Sequence, residues 1–443
     1  MKTLYYHASL ITGDVDRLFL PGGYLLVDGD RVAAVGVCGD EALPEADVRH
    51  DLAGRILMPG MISSHCHFYG QFVRGMPLSE LIYNWQQYLS RMWWRVDKAL
   101  DERQTYYSAL MGLVEGLKAG TTTYFDHQAS PNYITGSLDT IERAMRAVGG
   151  RGCLAYEVTD RDGAERAARG IAENERYIRA HQAEGDRFRG IFGLHASYSL
   201  SAETLERSSA VGNALNAGFH IHMAESEADV SDCYRRFDMH VVERLHEAGI
   251  LGEKTITAHN VHLKPRHFGI LRETGVTAAH NVQSNTNTAV GICPVVPLMD
   301  AGVHVALGGD GYTYDLFTEL GFASIQQHIG QNDCSVFSGK QILDMAFTNN
   351  QRLAKRIFGY EVGVLRPGAA ADFLILDYDP PTPLHAGNVL SHMTSGFSGH
   401  VDTVVCDGET VVERHHCTRV DEKEIFAGCR AEAQRLWDSL AAQ

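Results

Sequence analysis

Apolar and polar positions alternate through the first 55 residues, and the same pattern returns near the other end of the chain. Leu4–Ala8, Tyr24–Val27 and Arg31–Val35 carry the period-two signature of strands, and Asp28-Gly29-Asp30 between the last two signals a tight hairpin. Residues 361–418 have the same texture, GVLRPGAAADFLILD followed by VDTVVCDGETVVE, with a second hairpin signal at Asp407-Gly408. Residues 1–55 and 361–420 could pair into one small β-sandwich, a pairing the pattern alone leaves open. Between them strand and helix patterns alternate. Asp101-Glu102-Arg103-Gln104 resembles a capping box, and Tyr107, Leu110, Val114 and Leu117 follow at helical spacing. Gly120 ends that helix and Thr121–Asp126 reads as a strand. Gly152–Val158, Gly190–Ala196, Gly218–Glu225, Thr255–Val261, Gly275–Asn281 and Val303–Gly311 follow as strands, and the strand-like run Arg55–Ile62, in which Pro59-Gly60 breaks the incoming structure so that a new strand starts, makes eight. The pattern predicts an α/β chain, a (β/α)8 TIM barrel over 56–360 with a C-terminal helix over 421–443.

Composition narrows the class. The chain has 443 residues, 44% hydrophobic and 21% charged, as in a soluble enzyme with a large core. A formal net charge of −16 argues against nucleic acid or an anionic membrane as partner. No apolar run reaches the ~18 residues of a membrane span, and the N-terminus lacks the features of a signal peptide. Nine scattered cysteines without a CxxC pair suit reduced thiols in the cytoplasm.

Histidine carries the chemistry. A TIM barrel places its active site at the C-terminal ends of its strands. Read there, the chain offers His65 and His67 on the first strand, Asp126 and His127 on the second and His195 on the fourth. His222 and Glu225 end the fifth, His259 the sixth, His280-Asn281 the seventh and Asp310 the eighth. Two imidazoles at i and i+2 on a strand face the same side. Taken singly, each histidine reads as a hydrogen-bonded core or surface residue; the set in barrel order reverses that reading. His65, His67, His222 and Asp310 make an N/O site suited to Zn2+, with Fe2+ the alternative. Water in the open position would be acidified from ~15.7 towards ~7. Glu225 is placed to shuttle protons, and His259 to hold the water or polarise a developing oxyanion. Dinuclear barrels commonly bridge two metals with a carboxylated lysine from the fourth strand. Residues 184–225 contain no lysine, so one ion is expected. Cys66 is expected to pack on the opposite face, the Trp93-Trp94-Arg95 run to be packing, and His262, His267, His415 and His416 to be structural. Gln71, Arg74, His127, Gln128 and Tyr133 are loop candidates for substrate contact.

The stretches PGMISSHCH, HIHMAES, TAHNVHL, AAHNVQSN and LGGDG, followed by GVLRPGAAADFLILD, resemble the amidohydrolase superfamily in order and over nearly the whole chain. The likeness is to the mononuclear branch of cytosine, guanine and S-adenosylhomocysteine deaminases and the triazine hydrolases. WWRVDKALDERQTYYSALMGLVEGLKAGTTTYFDHQASP and CLAYEVTDRDG most resemble the SsnA-type aminohydrolases, often linked to purine catabolism. The resemblance implies metal ligation by His65, His67, His222 and Asp310, proton transfer by Glu225 and His259, and a further proton accepted by Asp310. It also implies the composite β-sandwich of both chain ends, substrate contact by His195, and a homodimer. Gly309 and Gln283 depart from the usual pattern and put the pocket shape in question. The expected activity is metal-dependent hydrolytic deamination of an aminated, purine-like heterocycle. The alternatives are ring opening of a cyclic amide on the same scaffold and a non-catalytic binding barrel.

Overall fold

The structure, a computed structural model, describes residues 1–39, 42–78, 80–183 and 185–442; Gln443, the end of the expected C-terminal helix, lies outside them. Eight parallel strands form the barrel: β1 (Met61–Cys66), β2 (Thr121–Gln128), β3 (Arg151–Tyr156), β4 (Phe188–Gly190 and Phe192–Ala196), β5 (Phe219–Met223), β6 (Ile256–His259), β7 (Thr277–His280) and β8 (His304–Leu307). The break at Ile191 divides the work of β4. Its first half pairs with β3 and its second with β5. Parallel bridges Val158–Leu194 and Cys66–Asp310 join the two halves of the ring, and the second brings the ends of β1 and β8 together.

Helices alternate with the strands and cover the barrel. The helix Glu102–Lys118 begins with the capping box seen in its sequence: Gln104 N donates to Asp101 Oδ1 at 2.8 Å, and Asp101 N to Gln104 Oε1 at 3.1 Å. The helix Asn349–Phe358 closes the N-terminal end, where Leu353, Ala354 and Phe358 pack with Ile62, Phe125, Cys153 and Ile256.

Both chain ends contribute to one nine-stranded mixed sheet. Its strands are Lys2–Ile11, Phe19–Asp28, Arg31–Val37, Val48–Asp51, Ile56–Pro59, Phe373–Leu376, Val401–Cys406, Glu409–Glu413 and His416–Cys417. Both Asp-Gly signals are hairpin turns, with Asp407 at φ 50° and Gly408 at φ 74° in the second. Gly408 must be glycine, since an added Cβ would lie 2.0 Å from the Gly29 carbonyl oxygen of the first hairpin.

The run Arg55–Ile62 is not one strand. Ile56–Pro59 pairs with Lys2–Ile11 and with Phe373–Leu376, so the barrel begins at Met61 rather than at residue 56. Gly60 is the joint, pressed so closely on Thr122 that a Cβ would sit 2.3 Å from its hydroxyl oxygen. The helix Glu422–Ala441 returns to the barrel, where Trp437 Nε1 donates to the Phe72 carbonyl at 2.8 Å. Among the described residues, no helix is long and apolar enough to cross a membrane.

Candidate active site

Residues two apart on a strand point the same way, and β1 with the residue after it (His65, His67) and β5 (His220, His222) use this to send pairs of imidazoles into the barrel. His67 Nδ1 donates to the His127 carbonyl at 2.6 Å, and His222 Nδ1 to the His195 carbonyl at 3.0 Å. A carbonyl only accepts, so each Nδ1 carries a proton, and each ring, when neutral, presents a lone pair at Nε2. Those two Nε2 atoms lie 3.1 Å apart. Beside them His65 Nε2 is buried without a hydrogen-bond partner. Asp310 Oδ1 stands 3.2 Å from His67 Nε2 and 3.7 Å from His65 Nε2. Lone pairs crowded so closely repel one another, and a cation among them turns the repulsion into coordination. Three imidazoles and one carboxylate fit zinc or another borderline divalent ion.

Two of the three imidazoles are already neutral. Burial pushes the His65 imidazole down to about 3 and holds His222 well below its ordinary value. At His67 burial opposes the charge, but Asp310 and Glu157 outweigh it and raise the ring to about 9, so an ion entering there displaces a proton. Burial alone would raise Asp310, but His65 and His67 beside it hold its carboxyl well below the usual range. Neutral imidazoles with an ionised carboxylate are what metal ligation needs. The backbone is strained at the same place. Ala224 (φ 50°), His259 (φ 74°) and Asp310 (φ 55°), just beyond or at the ends of β5, β6 and β8, are all left-handed, at about 1 kcal/mol or more each.

Glu225 and His259 flank this cluster. Burial raises the Glu225 carboxyl above its ordinary value, with His259 opposing. Its Oε2 lies 3.9 Å from His259 Nε2, which is 3.8 Å from Asp310 Oδ2. His259 Nδ1 meets Asn285 Oδ1 at 2.8 Å, which fixes the ring.

These groups open onto a cleft of about 400 Å³. His195, Gln71 and Arg74 line it, as do Trp85, Tyr88, Trp93 and Trp94. The tryptophan run is thus a pocket wall as well as packing. Gln71 is held by its Nε2, which donates to the His67 carbonyl at 3.0 Å and to the Tyr314 hydroxyl at 2.7 Å. Arg74 is more than half exposed and paired with Glu115 at 2.6 Å.

His127 does not reach the cleft. It points into the barrel beneath the cluster, fully buried and stacked on His220 at 4.3 Å between ring centroids. Gln128 donates to Ser130, and Tyr133 to the Gly136 carbonyl, both away from the cleft. Cys66 packs on the far face of its strand, its Sγ donating to the Phe125 carbonyl at 3.6 Å. Gln283 also turns away, binding Glu319 at 2.7 Å.

The cleft holds an acidic wall that the sequence reading missed. Glu157 follows β3 and is buried, with Oε1 3.5 Å from His67 Nδ1 and Oε2 3.8 Å from His195 Nε2. Burial pushes its carboxyl up to about 8. Asp97 and Arg161 pair beside it at 2.6 Å, the guanidinium 5.0 Å over the Trp94 ring. Glu157 Oε1, Asp97 Oδ1 and Arg161 Nη1 are buried without hydrogen-bond partners. The strand-end rule, applied to the third strand as it was to the others, would have found Glu157.

Comparison with known proteins gives the family. Residues 56–411 match the model of the amidohydrolase family. The chain belongs to that family. It is a hydrolase of carbon–nitrogen bonds other than peptide bonds. A 5'-deoxyadenosine deaminase of Methanothermobacter thermautotrophicus is 31% identical, over 96% of this chain and 98% of the relative. A 5-methylthioadenosine/S-adenosylhomocysteine deaminase of Desulfitobacterium hafniense is 30% identical, over 96% and 95%. Among solved structures, an adenosine deaminase of Xanthomonas campestris with bound zinc superposes with a TM-score of 0.88 at 22% identity, covering 98% of each chain. At that identity the likeness speaks for the fold.

Proposed function

We propose that this enzyme hydrolyses the exocyclic amino group of a purine nucleoside of the adenosine type, releasing ammonia, with one divalent ion, zinc, held by His65, His67, His222 and Asp310. The observation that carries the reading is the pair of Nε2 atoms of His67 and His222 at 3.1 Å, each ring giving its Nδ1–H to a carbonyl, beside the unpartnered His65 Nε2 and the Asp310 carboxylate. The named relatives support the purine nucleoside. A divalent ion bound there supplies Lewis acidity and makes water acidic enough to attack near neutral pH.

The remaining chemistry falls to side chains. Glu225 takes a proton from the attacking water and passes it to the ring nitrogen beside the reacting carbon. Its raised carboxyl suits a group that must both gain and lose a proton. His259, fixed by Asn285, steadies the charge that develops on the adding oxygen. Asp310 accepts the second proton, which leaves with the amine as ammonia. Water and aminopurine become oxopurine and ammonia, so the protons balance. His195 and Gln71 hold the ring, and Trp93 and Trp94 cover it. Arg74, bound to Glu115, sits at the rim.

The same reading treats residues 1–55 with 361–420 as a composite domain beside the barrel, 421–443 as a clasp, and the enzyme as a cytoplasmic homodimer. Free cysteines throughout the chain support the reducing compartment. The test is ammonia release from adenosine, 5'-deoxyadenosine, other purines, pterins and triazines by zinc-loaded protein. Ammonia with an intact purine chromophore is expected. Loss of ring absorbance without ammonia would refute deamination, and protein that neither binds nor responds to Zn2+ or Fe2+ would refute the metal-dependent reading.

A further inference from the structure

We propose that His220 is a positioning residue for the ion: it fixes the ring of His65 and the nitrogen on which His65 carries its proton, and so sets how tightly the site holds metal. The inference rests on the metal-dependent reading above.

His220 lies two residues before His222 on β5 and points into the barrel one layer below the ligand cluster. Its Nε2 meets His65 Nδ1 at 2.8 Å, with both rings fully buried. This is the one hydrogen bond His65 makes through its side chain among the described residues, because its Nε2 has no partner. If His65 gives its Nε2 lone pair to an ion, its proton must sit on Nδ1, and that N–H must donate. His220 Nε2 is where it goes. His67 and His222 donate their Nδ1–H groups to backbone carbonyls, which cannot change with a side chain. His65 alone among the three depends on another imidazole. That partner is itself held in place: His127 lies flat on His220, the planes 6° apart. The layer is unusual for a TIM barrel, whose interior is dominated by branched aliphatic side chains. A stacked imidazole pair needs a reason to be there, and the contact with His65 supplies one.

The test uses the full-length protein and Zn2+. His220→Leu fills the space but cannot accept a hydrogen bond. His220→Gln can place Oε1 near the position of Nε2 and accept. Zinc affinity, measured by competition with a chromogenic chelator, should fall about 10–100-fold in H220L. H220Q should stay within several-fold of wild type. At saturating Zn2+, H220L should regain most of its kcat, since the residue touches no substrate. Unchanged zinc affinity in H220L, or equal loss in H220L and H220Q, would overturn the proposal. A second measurement does not depend on the leucine variant folding. In zinc-loaded wild-type protein, 15N chemical shifts should show His65 protonated at Nδ1 and His220 unprotonated at Nε2. A proton on His220 Nε2 would overturn the proposal. Wild-type protein that binds no zinc would instead refute the metal reading on which it stands.

Discussion

Replacing Arg151 with methionine tests how the barrel is fastened to the mixed sheet. Arg151 opens β3 and is fully buried. Its Nε donates to Asp372 Oδ2 at 3.0 Å and its Nη2 to Asp372 Oδ1 at 3.2 Å. The same guanidinium reaches Asp407 and the Tyr360 hydroxyl. Asp372 precedes one strand of the sheet and Asp407 stands in its hairpin, so one side chain ties β3 to two points of the sheet. Methionine keeps most of the apolar stem, and the loss is therefore electrostatic. Removing one partner of a buried ion pair costs roughly 3–5 kcal/mol. Two details place this case near ~3 kcal/mol. Asp372 keeps the Asp407 N–H at 2.7 Å, and Asp407 keeps Arg187 at 3.4 Å.

With an unfolding entropy of about 2.1 cal/mol/K per residue over 443 residues, that loss lowers Tm by only ~3 °C. Urea unfolding followed by circular dichroism is the better assay, and the midpoint should fall at unchanged slope. Combining R151M with Asp372→Asn should recover about half the loss, because an amide buried alone costs less than a carboxylate. A single variant within ~0.5 kcal/mol of wild type, or strictly additive costs in the double variant, would refute the reasoning.

Three further outcomes follow from the site and its surroundings. His222→Ala should lose the ion, whereas Glu225→Gln should keep it and lose kcat by about 10²–10⁴; equal metal content by elemental analysis would break the assigned roles. Glu157→Gln should leave metal content unchanged and raise KM about tenfold or more, since Glu157 lines the cleft with a carboxyl that is not fully hydrogen-bonded; steady-state kinetics identical to wild type would exclude substrate contact. At Glu142, burial works against the charge, but hydrogen bonds from His181, Tyr177 and Arg146 outweigh it and hold the carboxyl down from 4.5 to about 2. The folded value lies below the unfolded one, so this stabilisation is complete above about pH 4.5 and fades as pH falls towards 2. Glu142→Gln should therefore be less stable than wild type by on the order of 2 kcal/mol at pH 7 and by almost nothing near pH 2. A difference that does not shrink on acidification would contradict the assignment.

Strand-end histidines and carboxylates were legible because period-two geometry and barrel order are local properties of the sequence. His65, His67, His222, Glu225, His259 and Asp310 meet for that reason, although they are far apart along the chain. The capping box of the helix Glu102–Lys118 and both Asp-Gly turns were legible on the same grounds. What escaped depends on contacts between elements. Glu157 and Arg161 acquire meaning only beside Asp97, which comes from the helix Trp94–Ala99 across the cleft. His127 sits at a strand end as expected, but on the inward layer below the cluster, where stacking on His220 decides its surroundings. The break at Gly60 was marked by the Pro59-Gly60 pair, whereas the close approach of Thr122 that fixes it there was not.

That joint at Gly60 also bears on the order of events during synthesis. The strand carrying His65 and His67 continues directly from Ile56–Pro59, and Pro59 finds its partner in Phe373, more than 300 residues later. At about 5–20 residues per second, a ribosome needs on the order of 15–60 s to supply that partner. Through that interval the segment leading into β1 lacks half its hydrogen-bonded neighbours. The first proposed ligands to emerge are thus among the last to be clamped, and the ion is expected to enter a nearly finished molecule rather than to guide a nascent one.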